Sequence, residues 1–147
     1  MAQKKDSIKQ TIKDAIKEVG VPTQYLGCQY LEDAVSLAME EGEVYGKLTK
    51  SIYPTIAKKY NKRPSAIERN IRTVINQSWY KTDRNVFNKV LGANNMSAWR
   101  SPTALEFIAA LKAYVLDKTQ SSIFSESGIS SEGFSNEMPQ VDETGME

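Results

Sequence analysis

The stretch Tyr53 to Asn76 constrains this chain more than any other, because it holds two helical patterns separated by a turn too short for anything but a tight corner. In its second half Ile67, Ile71, Val74 and Ile75 recur at helical spacing, while Ser65, Glu68, Arg69, Arg72, Thr73 and Asn76 mark another face of the same helix. Pro54 suits a first helical turn, and Asn61 suits a left-handed residue where the first helix stops near Tyr60. The reading helix is expected over 64–80. Ser65-Ala66-Ile67-Glu68 has the form of a capping box that would set its start. Two helices joined by the basic turn Asn61-Lys62-Arg63 form the pattern of a helix-turn-helix, with one face of the second helix for a core and the other for base edges.

The same periodicity runs through the rest. Ile8, Ile12, Ala15, Ile16 and Val19 make one face of an amphipathic helix over 5–19, ended by Gly20 and Pro22, with Lys9, Lys13 and Lys17 on a solvated face. Leu31, Ala34, Val35 and Ala38 predict a helix over 25–41, and the carboxylates Glu40, Glu41 and Glu43 beside Gly42 read as a solvated corner. A turn or two of helix follows through Val44, Tyr45, Leu48 and Ile52. A short helix is expected from Asp83 to Leu91, then a loop over 93–101. Thr103-Ala104-Leu105-Glu106 is a second capping box, opening a helix to about Asp117 that is apolar almost all round. Such a helix is either deeply buried or shared with another chain, which makes Leu111, Tyr114 and Val115 candidate dimer contacts. No strand alternation is visible, so the expected fold is an all-α, compact bundle of about six helices.

Charge divides the chain. Residues 1–118 hold all 19 Lys and Arg against 12 acidic residues, a net +7, whereas 119–147 hold six acidic residues and no basic one. A basic body attracts polyanions. The Ser, Gly and acid content of 119–147 predicts a disordered tail that either solubilises the chain or folds back on the basic face, leaving 1–118 as the domain.

What is missing is equally informative. There is no histidine, which removes the commonest general base, nucleophile activator and metal ligand. The lone Cys28 forms no internal disulfide and is expected simply to pack. Neither G-x-x-x-x-G-K-S/T nor G-x-G-x-x-G occurs, and no apolar run has the ~20 residues of a membrane span. A non-enzymatic, cofactor-free, metal-free and cytoplasmic protein is expected, with double-stranded DNA as its partner and no membrane.

Base-reading candidates are Glu68, Arg69, Arg72, Thr73 and Asn76, arginine being suited to guanine and asparagine to adenine. Lys58, Lys59, Lys62, Arg63, Ser65 and Arg100 are candidates for phosphate contacts, which fix register without reading sequence. Trp79 reads as core.

Gly20-Val21-Pro22, Tyr30-Leu31, Leu48-Thr49-Lys50, Tyr53-Pro54, Ile56-Ala57-Lys58-Lys59, Glu68-Arg69, Ile71-Arg72, Trp79, Pro102-Thr103 and Glu106-Phe107-Ile108-Ala109 also stand in a characteristic order. Through them the chain resembles, over about residues 5 to 117, the C-terminal DNA-binding effector domain of the master sporulation response regulator of endospore-forming bacteria. The resemblance implies a six-helix domain with its helix-turn-helix at about Pro54 to Thr73. It also implies dimeric binding to tandem TGTCGAA-like promoter boxes and contact with RNA polymerase sigma factor. It places Glu68, Arg69 and Arg72 at the DNA. Where the family typically has His and Glu, this chain has Thr73 and Asn76, so a changed box is expected. A phosphoacceptor receiver precedes this region in the family, whereas four residues precede the first helix here, so control by receiver phosphorylation is not expected. The competing expectation is an interaction module without useful DNA affinity, antagonising a full-length homologue or contacting sigma factor through the last helix.

Overall fold

The computed structural model describes residues 2–92 and 100–127, with side chains placed at 7–92 and 100–120. Among the described residues there are six α-helices and no strand: α1 (Ala2–Glu18), α2 (Leu26–Met39), α3 (Tyr53–Tyr60), α4 (Pro64–Lys81), α5 (Arg84–Leu91) and α6 (Ala104–Ser127). A wider, π-type turn, Leu48–Ile52, runs directly into α3. The all-α expectation holds. The chain divides into residues 1–116 and residues 117–147. Of the second unit only the helical stretch 117–127 is described.

Each helix end has a local cause. After α1, Gly20 adopts φ 83° while Gly20 N donates to Lys17 O and Val21 N to Ile16 O, a left-handed stop that glycine tolerates without strain. Asn61 does the same after α3 at φ 58°, ψ 49°, with Lys62 N donating to Ala57 O at 2.8 Å. Asp83 caps α5 by accepting from Asn85 N at 2.7 Å. The box expected at Thr103 is made in both directions: Glu106 N donates to Thr103 Oγ1 at 3.1 Å and Thr103 N to Glu106 Oε1 at 2.9 Å.

The box expected at Ser65 is not made. Arg63, extended at φ −86°, ψ 147°, is the residue before α4, and Pro64 takes the first helical position. Ser65 and Glu68 therefore lie inside the helix, with Ser65 two residues past the capping position. α6 also departs from expectation, running to Ser127 rather than stopping near Asp117. Between Pro102 and Gly128 the sequence contains no glycine or proline, so nothing intrinsic ends the helix earlier. The expectations for the loop over 93–99 and for the tail beyond 127 lie outside the described residues.

The core of residues 1–116 is continuous. Ile12, Ile16, Leu31, Ile52, Ile56, Ile67, Ile71, Ile75, Phe107 and Leu111 are almost wholly removed from water, each contributing about 1.5–3 kcal/mol of apolar transfer. Trp79 meets Phe87 edge-on at 5.3 Å between ring centroids, and the Arg84 guanidinium lies 3.6 Å above the Trp79 ring. α2 packs closely on α4 at Gly27, where an added Cβ would stand 2.3 Å from Asn70 O. Cys28 is buried as expected. α4 is thus fixed on one side by α2 and α3, which leaves its opposite side to solvent.

Candidate nucleic-acid interface

α3 and α4 are joined by three residues, Asn61 to Arg63, and pack on each other. Tyr53, at the first position of α3, is buried, and burial together with the charge of Glu68 pushes its phenol up to about 12 against the opposing effect of Arg72. The start of α3 is thus buried, and α3 packs on α4. With 18 residues, α4 is about 27 Å long.

Its two faces separate as the spacing dictates. Ile67, Ile71, Val74, Ile75 and Ser78 are buried, while Ser65, Arg69, Arg72 and Thr73 are exposed and Glu68 and Asn76 half-buried. Ser78 Oγ donates to Val19 O at 2.5 Å and Thr82 Oγ1 to the same carbonyl at 2.9 Å, tying the end of α4 to the end of α1. The Arg69 guanidinium has no ion-pair partner among the described residues. Arg72 lies 3.4 Å from Glu68 one turn earlier, an exposed pair worth only about 0.3–0.5 kcal/mol that a stronger anion would readily displace. Thr73 Oγ1 donates back to Arg69 O at 3.0 Å, which uses its proton and leaves its oxygen and methyl outward.

The phosphate candidates fall into two groups. Lys58, Lys62, Arg63 and Ser65 are exposed around the turn and the start of α4, where backbone N–H groups and the helix dipole also favour anions. Lys59 instead binds Asp33 of α2 at 3.3 Å, with Tyr60 Oη donating to the same carboxylate at 2.6 Å. Arg100 is likewise engaged: its two terminal nitrogens lie 3.0 Å from the two oxygens of Glu106. That pairing and the Thr103 amide hold the Glu106 carboxyl below its ordinary value. Lys59 and Arg100 are therefore brace residues in this structure, though both remain at the surface.

The candidate dimer contacts need the larger correction. Leu111 and Val115 have no exposed surface, because the domain's own core consumes them, and half-buried Tyr114 donates its hydroxyl to Glu18 of α1 at 3.0 Å. A helix apolar all round was expected to be buried or shared, and in residues 104–116 burial accounts for both core residues. The exposed side of that segment carries Ala109 and Ala113 instead.

Tyr80 was not anticipated. It is 79% exposed and lies one turn beyond Asn76, continuing the stripe. Its position on that face was legible in the 3.6-residue period, but an aromatic near Trp79 reads more readily as core.

Among the described residues no three metal-ligating side chains converge, and no helix is long and apolar enough to cross a membrane. A small all-α body that buries one face of a helix and offers the other as a row of cations and hydrogen-bonding groups has the form of a nucleic-acid-binding regulatory domain. More particularly, the chain belongs to the family described as sporulation initiation factor Spo0A C terminal, whose family model matches residues 12–115. That family is the DNA-binding effector domain of a sporulation regulator and not an enzyme family, so DNA binding in transcription regulation is the role its membership supports.

Proposed function

We propose that this chain is a sequence-specific transcription regulator of sporulation-effector type, in which α3, the turn and α4 form a helix-turn-helix that sets α4 in the major groove of promoter DNA. The observation that carries the reading is the outward stripe of Ser65, Arg69, Arg72, Thr73 and Asn76 on a helix whose other face is locked into the core. In this reading Arg69 and Arg72 read guanine edges, Thr73 and Asn76 discriminate neighbouring bases, and Glu68 sets Arg72 and contacts a cytosine amine. Lys58, Lys62, Arg63 and Ser65 grip phosphates on either side, with Lys59 and Arg100 at the margin. Homodimerisation on tandem boxes and contact with sigma factor belong to the same reading. A pairing surface on α6 would use the side bearing Ala109 and Ala113. Localisation is cytoplasmic, where the DNA is.

The test is fluorescence anisotropy across a salt series, with a TGTCGAA-containing duplex and a scrambled one, on the full chain and on Arg69→Ala and Arg72→Ala. Tight binding to the box that each substitution weakens by about 1–3 kcal/mol is expected. Equal binding to both duplexes with a steep fall in salt would reduce the interaction to phosphate attraction and refute base reading. In the antagonist alternative, pairing would have to use half-buried Tyr114 and the Ala109 and Ala113 side of α6, since Leu111 and Val115 are core residues.

A further inference from the structure

Asn76 sits in the middle of the outward stripe of α4, but it is half-buried because the segment leading into α6 crosses beside it. From that segment Ser101 Oγ donates to Asn76 Oδ1 at 2.6 Å. Ser101 is held from both sides. Before it, Arg100 is forked onto Glu106 and also donates to Ser101 O at 3.1 Å; after it, Pro102 is buried and Thr103 is locked to Glu106 by their reciprocal bonds. The hydroxyl that meets Asn76 is thus presented by a braced piece of backbone, so its position is set before any ligand arrives.

An asparagine side chain has an acceptor at one end and two donors at the other, and which end faces outward depends on what holds it. Here the oxygen is the held end, so the NH2 group is what Asn76 has to offer. The two purines differ on this point. Adenine in the major groove presents an acceptor at N7 and a donor at N6, and needs both ends of an asparagine, whereas guanine presents acceptors at N7 and O6 and needs donors alone.

We propose that Ser101 is a positioning residue for sequence selection: by holding Asn76 Oδ1 turned toward its own hydroxyl it leaves the amide NH2 as the end that meets a base, so that α4 selects guanine over adenine at the base pair Asn76 meets. The proposal rests on α4 being the base-reading helix. It also assigns a role to the Arg100–Glu106 pair, which holds the hydroxyl in place.

The experiment is selection from a randomised duplex library, followed by anisotropy on duplexes varied at single pairs, with the parent, Asn76→Ala, Ser101→Ala, Ser101→Thr and Ser101→Cys. The pair at which Asn76→Ala flattens discrimination is the one Asn76 reads. There the parent is expected to prefer guanine, and Ser101→Ala to shift the guanine-to-adenine ratio toward adenine by about tenfold. Ser101→Thr, which keeps the hydroxyl, should retain the guanine preference, and Ser101→Cys, a weaker donor of similar size, should fall between, which keeps the series decisive if the alanine variant folds poorly. Preference at the pairs that depend on Arg69 should not move. A parent preference for adenine at that pair, a shift under about twofold in Ser101→Ala and Ser101→Cys, or a uniform loss at every pair would overturn the proposal while leaving α4 as the reader. No enriched sequence from the library at all would instead refute base reading by α4, and the proposal with it.

Discussion

Gly27→Ala is the substitution that most directly probes how α4 is held. Gly27 lies in the first turn of α2, and a Cβ there would stand 2.3 Å from Asn70 O and 2.8 Å from Val74 Cγ1. Ordinary contact begins near 3.4 Å, so the methyl overlaps a backbone oxygen of α4 by about 1 Å, and a backbone atom inside a helix cannot swing aside as a side chain can. Two effects of opposite sign compete. Replacing glycine by alanine in a helix stabilises by at most about 1 kcal/mol. Overpacking of a close-packed contact costs about 1–3 kcal/mol, and the upper end applies where the obstacle is main chain. The overlap wins, leaving a net loss of about 2 kcal/mol, which for a domain of this size lowers the melting temperature by about 8 °C. Circular dichroism melts of the parent, Gly27→Ala and Gly42→Ala provide the measurement. Gly42 has open space around it, so its alanine variant should melt within about 2 °C of the parent. Because the strain falls on α4, Gly27→Ala should also weaken DNA binding at temperatures where it is still folded. A Gly27→Ala melting temperature equal to or above the parent's would mean that helix propensity prevails and that α2 does not approach α4 this closely.

Three further outcomes can be checked with the same protein. Lys62→Ala should weaken binding to all duplexes alike and reduce the slope of log K against log salt by about one, whereas a selective loss on one sequence would show that Lys62 reads bases. The Glu106 carboxyl is held below its ordinary value of 4.5 by Arg100 and the Thr103 cap, so its folded form binds the proton less readily than its unfolded form. The stability it contributes is complete above about pH 4.5 and is lost as pH falls through the lower, folded value; melts from pH 7 to 3 should show the gap between parent and Glu106→Gln closing, and a constant gap would contradict the linkage. Burial, with the neighbouring Glu32 carboxylate, pushes the Cys28 thiol up to about 11, so a thiol reagent at pH 8 should label it at the rate of domain opening, accelerating with denaturant, and fast labelling of the native protein would place Cys28 at the surface.

Much of this architecture was legible before any coordinates. The helices follow from apolar residues returning every three or four positions, and their ends from local chemistry: Gly20 and Asn61 stop helices because they enter the left-handed region, and Thr103 with Glu106 starts one because the box satisfies its own amides. The outward stripe of α4 was equally legible, since Ile67, Ile71, Val74 and Ile75 fix the inward direction and the polar residues fall opposite. The Ser65 box failed because a motif of this kind is two short patterns that also occur inside helices, and Pro64, preset for the first turn, claimed the start two residues earlier than a Ser65 cap would.

What tertiary structure alone decided are the partners at long range in sequence. Period shows that α6 is apolar on many sides, but only packing reveals that Leu111 and Val115 face their own core rather than a second chain. Charge marks Lys59 and Arg100 as cations, but only the fold brings Asp33 beside Lys59, and only the loop before α6 turns Arg100 onto Glu106. The bond from Ser101 to Asn76 spans 25 residues and has no local signature at all. Local sequence sets dihedral angles, caps and the direction each face points, because those energies arise within a turn or two of chain. Which acceptor a given hydroxyl or cation finds depends on how whole helices are laid together, and that is where the partners of the polar groups on α4 are decided.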